Sequence, residues 1–298
     1  MPQKEVNMLS KQIKNFFDLS VSAKYEGVSN EHPIILLNSI KNIIGDDKEN
    51  PSKALLNYAE KTVNQYNLRD DDKIILEEVA KDGIGSSIFI SDLEDACQTG
   101  IPEAIEKEAA RLQWVSDNGL GGLQVLVEVA LQDFNRLGIF CFHLLRANNF
   151  KRNVNNTWPY TRCLVKEIIK KPLPDPHEKA DISMNIYRST DKLEISQLTS
   201  AHRLWYGDYV RGDGYKREIS HWYKDIKPLN VSNDKYITKE LKNYVLKGGS
   251  FFIDVAEELI GNDSNLIFLE SLRYLIKNDQ SFSEYVSSQI SSITNRNE

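Results

Sequence analysis

Cysteine is scarce in this 298-residue chain: Cys97, Cys141 and Cys163, with no Cys-x-x-Cys pair. That excludes a disulfide framework and a zinc ribbon, and reads as reduced thiols in a cytoplasmic protein. The five histidines (His32, His143, His177, His202, His221) show no spacing suited to zinc. Long apolar runs are missing as well. The most apolar stretch, Leu120 to Leu145, is interrupted by Glu128, Asp133 and Arg136 and is too polar to cross a bilayer. The opening Met1-Pro-Gln-Lys-Glu-Val6 lacks the apolar core of a signal peptide, so no membrane partner is expected. There is no Walker loop, no Gly-x-Gly-x-x-Gly and no internal repeat. Nor is there a surplus of positive charge: 37 basic against 43 acidic residues give a net charge of −6, which excludes a constitutive nucleic-acid coat.

What is present is an ordinary globular composition, 41% hydrophobic and 27% charged, in a length suited to one large domain or two smaller ones. The first half reads as helices. Val6 to Leu19 carries a helical stripe of Met8, Leu9, Ile13, Phe16 and Phe17. Pro33 to Ile44 and Pro51 to Tyr66 each open on a proline that fits a first turn, and Asp70 to Ala80 follows. Ser86 to Cys97 is ambiguous between strand and helix. Pro102 to Ser116 and Leu123 to Ala147 form a helical hairpin across Asp117 to Gly122. The polar Asn148 to Asn156 stretch is taken as a boundary, giving a helical domain 1–150 and a second domain 151–298.

Beyond it the texture changes. From Arg146 to Lys171 seven basic residues (Arg146, Lys151, Arg152, Arg162, Lys166, Lys170, Lys171) face one acidic residue, Glu167, a favourable surface for phosphates. Pro159 to Lys170 reads as a helix and Lys171 to Pro176 as a stiff extended linker. Lys179 to Ile186 then alternates apolar and polar residues, with Ile182, Met184 and Ile186 on one face. Asp191 to Thr199 places Leu193 and Ile195 opposite Glu194 and Ser196. Both have the period of a half-buried strand. Tyr236 to Leu246 reads as a helix, Ser250 to Val255 as a third strand, and Asn265 to Ile276 and Ser283 to Ile293 as closing helices.

If the two alternating segments pair, Asp181 and Glu194 share a polar face and can offer hard oxygen ligands to a divalent ion. The order of elements, with Asp181 in Lys-Ala-Asp-Ile and Glu194 in Leu-Glu-Ile-Ser-Gln-Leu, resembles the PD-(D/E)XK (restriction-endonuclease-like) nuclease superfamily over roughly Trp158 to Glu258. The resemblance implies an α+β fold: a helical bundle followed by a small α/β nuclease-like domain. It also implies Mg²⁺ held by Asp181 and Glu194, with catalysis assisted by Gln197 and Lys192. The family's usual lysine falls at Ser196 and is absent. Two functional expectations follow. One is a metal-dependent nuclease or nuclease-like domain acting on DNA or RNA. The other is a non-enzymatic helical subunit that binds a protein partner in a larger nucleic-acid-processing or defence assembly. Trp205, Tyr206, Trp222 and Tyr223, interleaved with Arg203, Arg211, Lys216 and Arg217, are candidates for stacking unpaired bases. Glu106, Glu128 and Asp133 lack the Glu-x-x-His pairs of a di-metal bundle.

Overall fold

The computed structural model describes residues 3–83, 87–116, 119–150, 157–226 and 237–294, with side chains from residue 8 onward. Its helices are α1 (Gln3–Val21), α2 (Pro33–Ile44), α3 (Lys53–Asn64), α4 (Asp72–Asp82), α5 (Ile90–Thr99), α6 (Pro102–Val115), α7 (Leu120–Ala130) and α8 (Phe134–Asn149). They continue with α9 (Trp158–Ile169), α10 (Lys192–Trp205), α11 (Gly212–Tyr223), α12 (Lys239–Lys247), α13 (Phe251–Glu258), α14 (Asp263–Asn278) and α15 (Ser283–Thr294). Among the described residues there is no sheet; the one extended pairing is an isolated bridge between Ala23 and Leu68. The α+β expectation, with its restriction-endonuclease-like domain, is therefore overturned.

Each misread segment has a physical cause. Asp191 does not open a strand: its side chain accepts the backbone N–H groups of Leu193 and Glu194 and caps α10. Ile195, Leu198, Ala201 and Leu204 are then fully buried along one helical face. Ser250 to Val255 likewise enters a helix, α13, whose Phe252, Ile253, Val255 and Ala256 are buried with helical spacing. A run this apolar and this short carries no period that separates the two structures. The expected long helix Leu123–Ala147 is broken by a 3₁₀ turn at Leu131–Asp133.

Lys179 to Ile186 forms no strand, although its alternation does mark which side chains are covered. Met184 is buried, Ile182 and Ile186 are half-buried, and Asp181, Ser183 and Asn185 are exposed. It lies in a non-helical run from 171 to 191, and because its would-be partner is a helix, side chains satisfy its backbone instead. Ser220 Oγ accepts the Ala180 N–H at 2.8 Å, Tyr223 donates to the Asn185 carbonyl at 2.9 Å, and Tyr285 donates to the Ser189 carbonyl at 2.7 Å.

The centre of the molecule is a ring of four helices packed in the order α8, α2, α14, α10 and back to α8, drawn from both sides of residue 150. All four run in the same direction. Between α2 and α8, Asn30 just ahead of α2 meets Asn135, Asn38 meets His143 at 2.9 Å, and Lys41 lies over Phe150. Between α10 and α14 the pairs are Lys192–Asn265, Ser196–Ser271 and His202–Tyr274. Asn42–Glu270 and Asp46–Arg273 set the same sense for α2 and α14. Gln197–Asn135 and Arg203–Phe142 set it for α10 and α8. Rising residue numbers pair with rising residue numbers throughout, so the four helix starts lie at one end and the four helix ends at the other.

Candidate functional site

The four residues expected to form a metal-assisted active site have separate roles. Asp181 is exposed on the non-helical segment between α9 and α10. Glu194 lies on α10, where one carboxylate oxygen accepts from Tyr187 at 2.9 Å and the other from the Ser189 hydroxyl. Lys192 donates to Asn265 Oδ1 at 2.8 Å, and Gln197 donates to the Asn135 carbonyl at 3.0 Å. Both Glu194 oxygens are thus engaged by hydroxyls that tie down residues 187–189, a donor set that does not fit Mg²⁺. Among the described residues no group of three or more His, Cys, Asp or Glu side chains is arranged to hold a metal ion.

Three side chains of the basic segment are spent on structure. Arg162 is buried between Asp71 and Asp72, Lys166 pairs with Glu106, and Lys170 pairs with Glu167 at 2.7 Å. Lys151 and Arg152 lie outside the described residues. The aromatics are largely structural too. Trp222 donates to Asn135 Oδ1 and packs on Phe134, and Tyr206 and Tyr223 donate to the Met184 and Asn185 carbonyls.

A different feature stands out at the end where the four ring helices begin. A cavity of about 1100 Å³ opens there. Its floor is made by residues near the start of each ring helix: Leu36 of α2, Ile139 of α8, Ser196 of α10 and Ile267 of α14. Its rim comes from the loop 25–31, Tyr66 beyond α3, Lys170 and Lys171 after α9, and Gly261 to Ser264. Gly261 has φ +97°, which turns the chain from α13 into the Asn262 cap of α14.

The electrostatics follow from the helix directions. Each helix start carries about half a positive charge, so four starts amount to roughly two. Arg136, Lys170, Lys171 and Lys192 add four cations against Glu26, Glu31 and Asp263. Three are committed: Arg136 to Asp133, Lys170 to Glu167 and Lys192 to Asn265. The Lys171 ammonium has no partner among the described residues. Asn262 takes the Asn265 N–H, leaving the Asp263 and Ser264 N–H groups without an acceptor among the described residues. Tyr25 and Tyr66 contribute rings set edge to face at 5.9 Å. Burial pushes the Tyr25 phenol well up, with Glu31 adding to the shift, so it stays protonated and donates to the Val28 carbonyl.

The nearest arrangement to a catalytic dyad is Cys163 with His32, whose Nε2 lies 3.5 Å from the sulfur beside a cavity of about 360 Å³. It is built to be inert. His32 Nδ1 accepts the Ile34 N–H at the start of α2, so the proton sits on Nε2 and this nitrogen cannot take one from the thiol. Burial pushes the Cys163 thiol up to about 12 and pushes His32 down to about 3, with Lys170 and Arg69 adding to the latter. A thiol held protonated is neither nucleophile nor metal ligand.

Sequence reasoning missed the cavity because no motif encodes it. Its local signals were legible: Pro33 at a first turn, Asp191-x-x-Glu194, and Asn262 ahead of a helical run. Their meeting at one end depends on how distant helices pack. Comparison with protein-family models, with curated proteins and with solved structures finds no match to this chain.

Proposed function

We propose that this chain is a non-enzymatic helical binding protein whose cavity takes a small anionic ligand, with a phosphate or carboxylate lying against the start of α14. The observation that carries this reading is the convergence of four parallel helix starts on one cavity. Peptide dipoles aligned in this way favour negative charge, and unshared first-turn N–H groups offer donors to it. The volume is of the order that holds a drug-sized molecule. With roughly two charges from the helices and one unpaired ammonium at Lys171 set against Glu26, Glu31 and Asp263, the rim suits a ligand of low charge better than a nucleic-acid strand. The apolar floor and the Tyr25 and Tyr66 rings suit an uncharged remainder. Phosphodiester hydrolysis at Asp181 and Glu194 is not part of this reading, because the paired strands that would join them do not form.

Calorimetric titration with phosphate monoesters and with the corresponding neutral alcohols tests it. The esters should bind and the alcohols should bind far more weakly. Lys171→Glu, an exposed change, should lower ester affinity about tenfold, since reversing one charge near a phosphate costs on the order of 1–2 kcal/mol in a partly solvated site. Leu193→Trp and Ser264→Trp, both at exposed rim positions, should block binding with helical content unchanged. Equal affinity for ester and alcohol, or ester binding that survives both tryptophans, would sink the proposal.

A further inference from the structure

The non-helical run from 171 to 191 is held against α11 by a cluster of ionisable side chains that the cavity does not use. The Glu218 carboxylate of α11 is buried. It accepts from Arg217 Nε at 2.8 Å, from His177 Nδ1 at 2.7 Å and, more loosely, from the His177 N–H at 3.4 Å. One turn further along α11, the His221 ring stacks on the His177 ring, with centroids 3.7 Å apart and planes 17° from parallel. His221 Nδ1 lies 3.1 Å from the Lys224 ammonium. The Ala180 N–H, donated to Ser220 Oγ at 2.8 Å, completes the contact.

The partners fix where the protons sit. A carboxylate only accepts, so His177 Nδ1 carries a hydrogen. An ammonium only donates, so His221 Nδ1 is an acceptor and the His221 ring is neutral. A proton added to His221 would have to go on Nδ1, facing Lys224, and would lay a cation flat against a second imidazole. One proton on the stacked pair is answered by Glu218. A second is not, because no carboxylate is bonded to His221 among the described residues. We propose that this pair is a pH-sensitive latch, closed at neutral pH and opened by acid, when the second imidazole takes a proton and frees the middle of the run from α11.

The charges on neighbouring elements are committed elsewhere. Arg217 divides itself between Glu218 and Glu128 of α7, at 2.8 and 3.4 Å, and feels Glu94 of α5. Asp133, in the turn ahead of α8, is taken by Arg136, and Arg203 of α10 by Glu270. Glu178 and Lys179, next to His177 on the run, are exposed. His221 is pushed below its ordinary 6.5 by burial first and then by His177 and Lys224, with Asp225 and Glu218 opposing. A base depressed in the closed form stabilises that form fully above its ordinary value, and the stabilisation is lost as pH falls from 6.5 towards the depressed value. Opening would uncover Met184 and release the Tyr206 and Tyr223 hydroxyls from the Met184 and Asn185 carbonyls.

Residue-resolved hydrogen exchange on the full chain tests the latch, read as protection factors so that the intrinsic pH dependence of exchange drops out. The Ala180 amide should lose about tenfold in protection between pH 7 and pH 5, since one proton taken up on opening shifts the equilibrium up to tenfold per pH unit. The Leu173 amide, donated to the Cys97 carbonyl at 3.1 Å, should not change. His221→Gln, which can still accept from Lys224 but cannot take a proton, should keep the pH 7 protection and abolish the loss. Equal protection at both pH values in the wild type overturns the latch, as does a loss that persists in His221→Gln. A loss shared by Leu173 also overturns it, as a general loosening of the chain. So does a His221→Gln protein already unprotected at pH 7, where stacking and not charge would hold the contact.

Discussion

Removing the Glu270 carboxylate should destabilise the whole ring, because this side chain joins three of its four helices. Glu270 on α14 is almost fully buried and receives two hydrogen bonds from Arg203 of α10 and one from Asn42 of α2. Burial alone would push its carboxyl up. The charge and hydrogen bonds of Arg203, helped by His143 and Arg273, outweigh burial and hold it at about 2, against an ordinary 4.5. A carboxyl depressed in the folded state contributes stability that is complete above its unfolded value and is lost as pH falls. Here the window runs from about 4.5 down to about 2, and a shift of this size corresponds to about 3 kcal/mol. Glu270→Leu should cost about 3–5 kcal/mol at pH 7, because the Arg203 guanidinium stays largely buried without its counter-charge. Arg203→Met combined with Glu270→Leu removes both charges and should recover most of that loss. Urea unfolding at pH 7 and pH 3 measures both effects. The wild type should lose stability between these pH values, and the double variant should lose less. A loss below about 1 kcal/mol for Glu270→Leu, or a double variant no more stable than the single, would refute the idea that this pair is a buried, coupled charge.

Most helix locations could be read from the sequence, and the fold could not. The apolar stripe of α1 and the proline opening α2 reported local structure correctly, since a helical face and a first-turn proline are local facts; Pro51 did not, because α3 starts at Lys53 behind the Ser52 cap. Residues 179–186 are instructive in the opposite sense. Their alternation was real, and the chain there is non-helical with Met184 buried, but it forms no strand. Alternation reports which face is covered, however, and not what covers it; here helices and Tyr223 take the place of a second strand. At Asp191 two local signals competed. Alternation over five residues favoured a strand, while an Asp three residues before Glu194 favoured a helix start, and the cap prevailed because it satisfies two first-turn N–H groups. The cavity was illegible for a different reason. Its floor residues, Leu36, Ile139, Ser196 and Ile267, are spread over 231 positions (267 minus 36), and only the shared direction of four helices brings them together.

Two substitutions separate structural roles from chemical ones. Glu194→Ala removes the acceptor for Tyr187 and Ser189 and should cost about 1–3 kcal/mol, the range for buried partners left unpaired. Hydrogen exchange should quicken across residues 187–191, and loss of Mg²⁺ binding without that change would contradict the assignment. Gly214→Ala gives a test of sign. In a helix, alanine ordinarily improves on glycine by about 0.5–1 kcal/mol. At Gly214, in the first turn of α11, an added Cβ would lie 2.1 Å from the carboxylate carbon of Glu128. That carboxylate is buried on α7 and held by Arg211 at 2.5 Å and Arg217 at 3.4 Å, so it cannot retreat without giving up a charged partner. The expected outcome is therefore a net loss of about 2 kcal/mol, the cost of disturbing a buried charged hydrogen bond exceeding the gain in helix propensity. Glu128→Ala in the same chain should make Gly214→Ala stabilising, because the obstacle is then gone. A Gly214→Ala protein that is more stable with Glu128 in place would mean that the carboxylate is free to move, and that Arg211 and Arg217 do not pin α11 against α7.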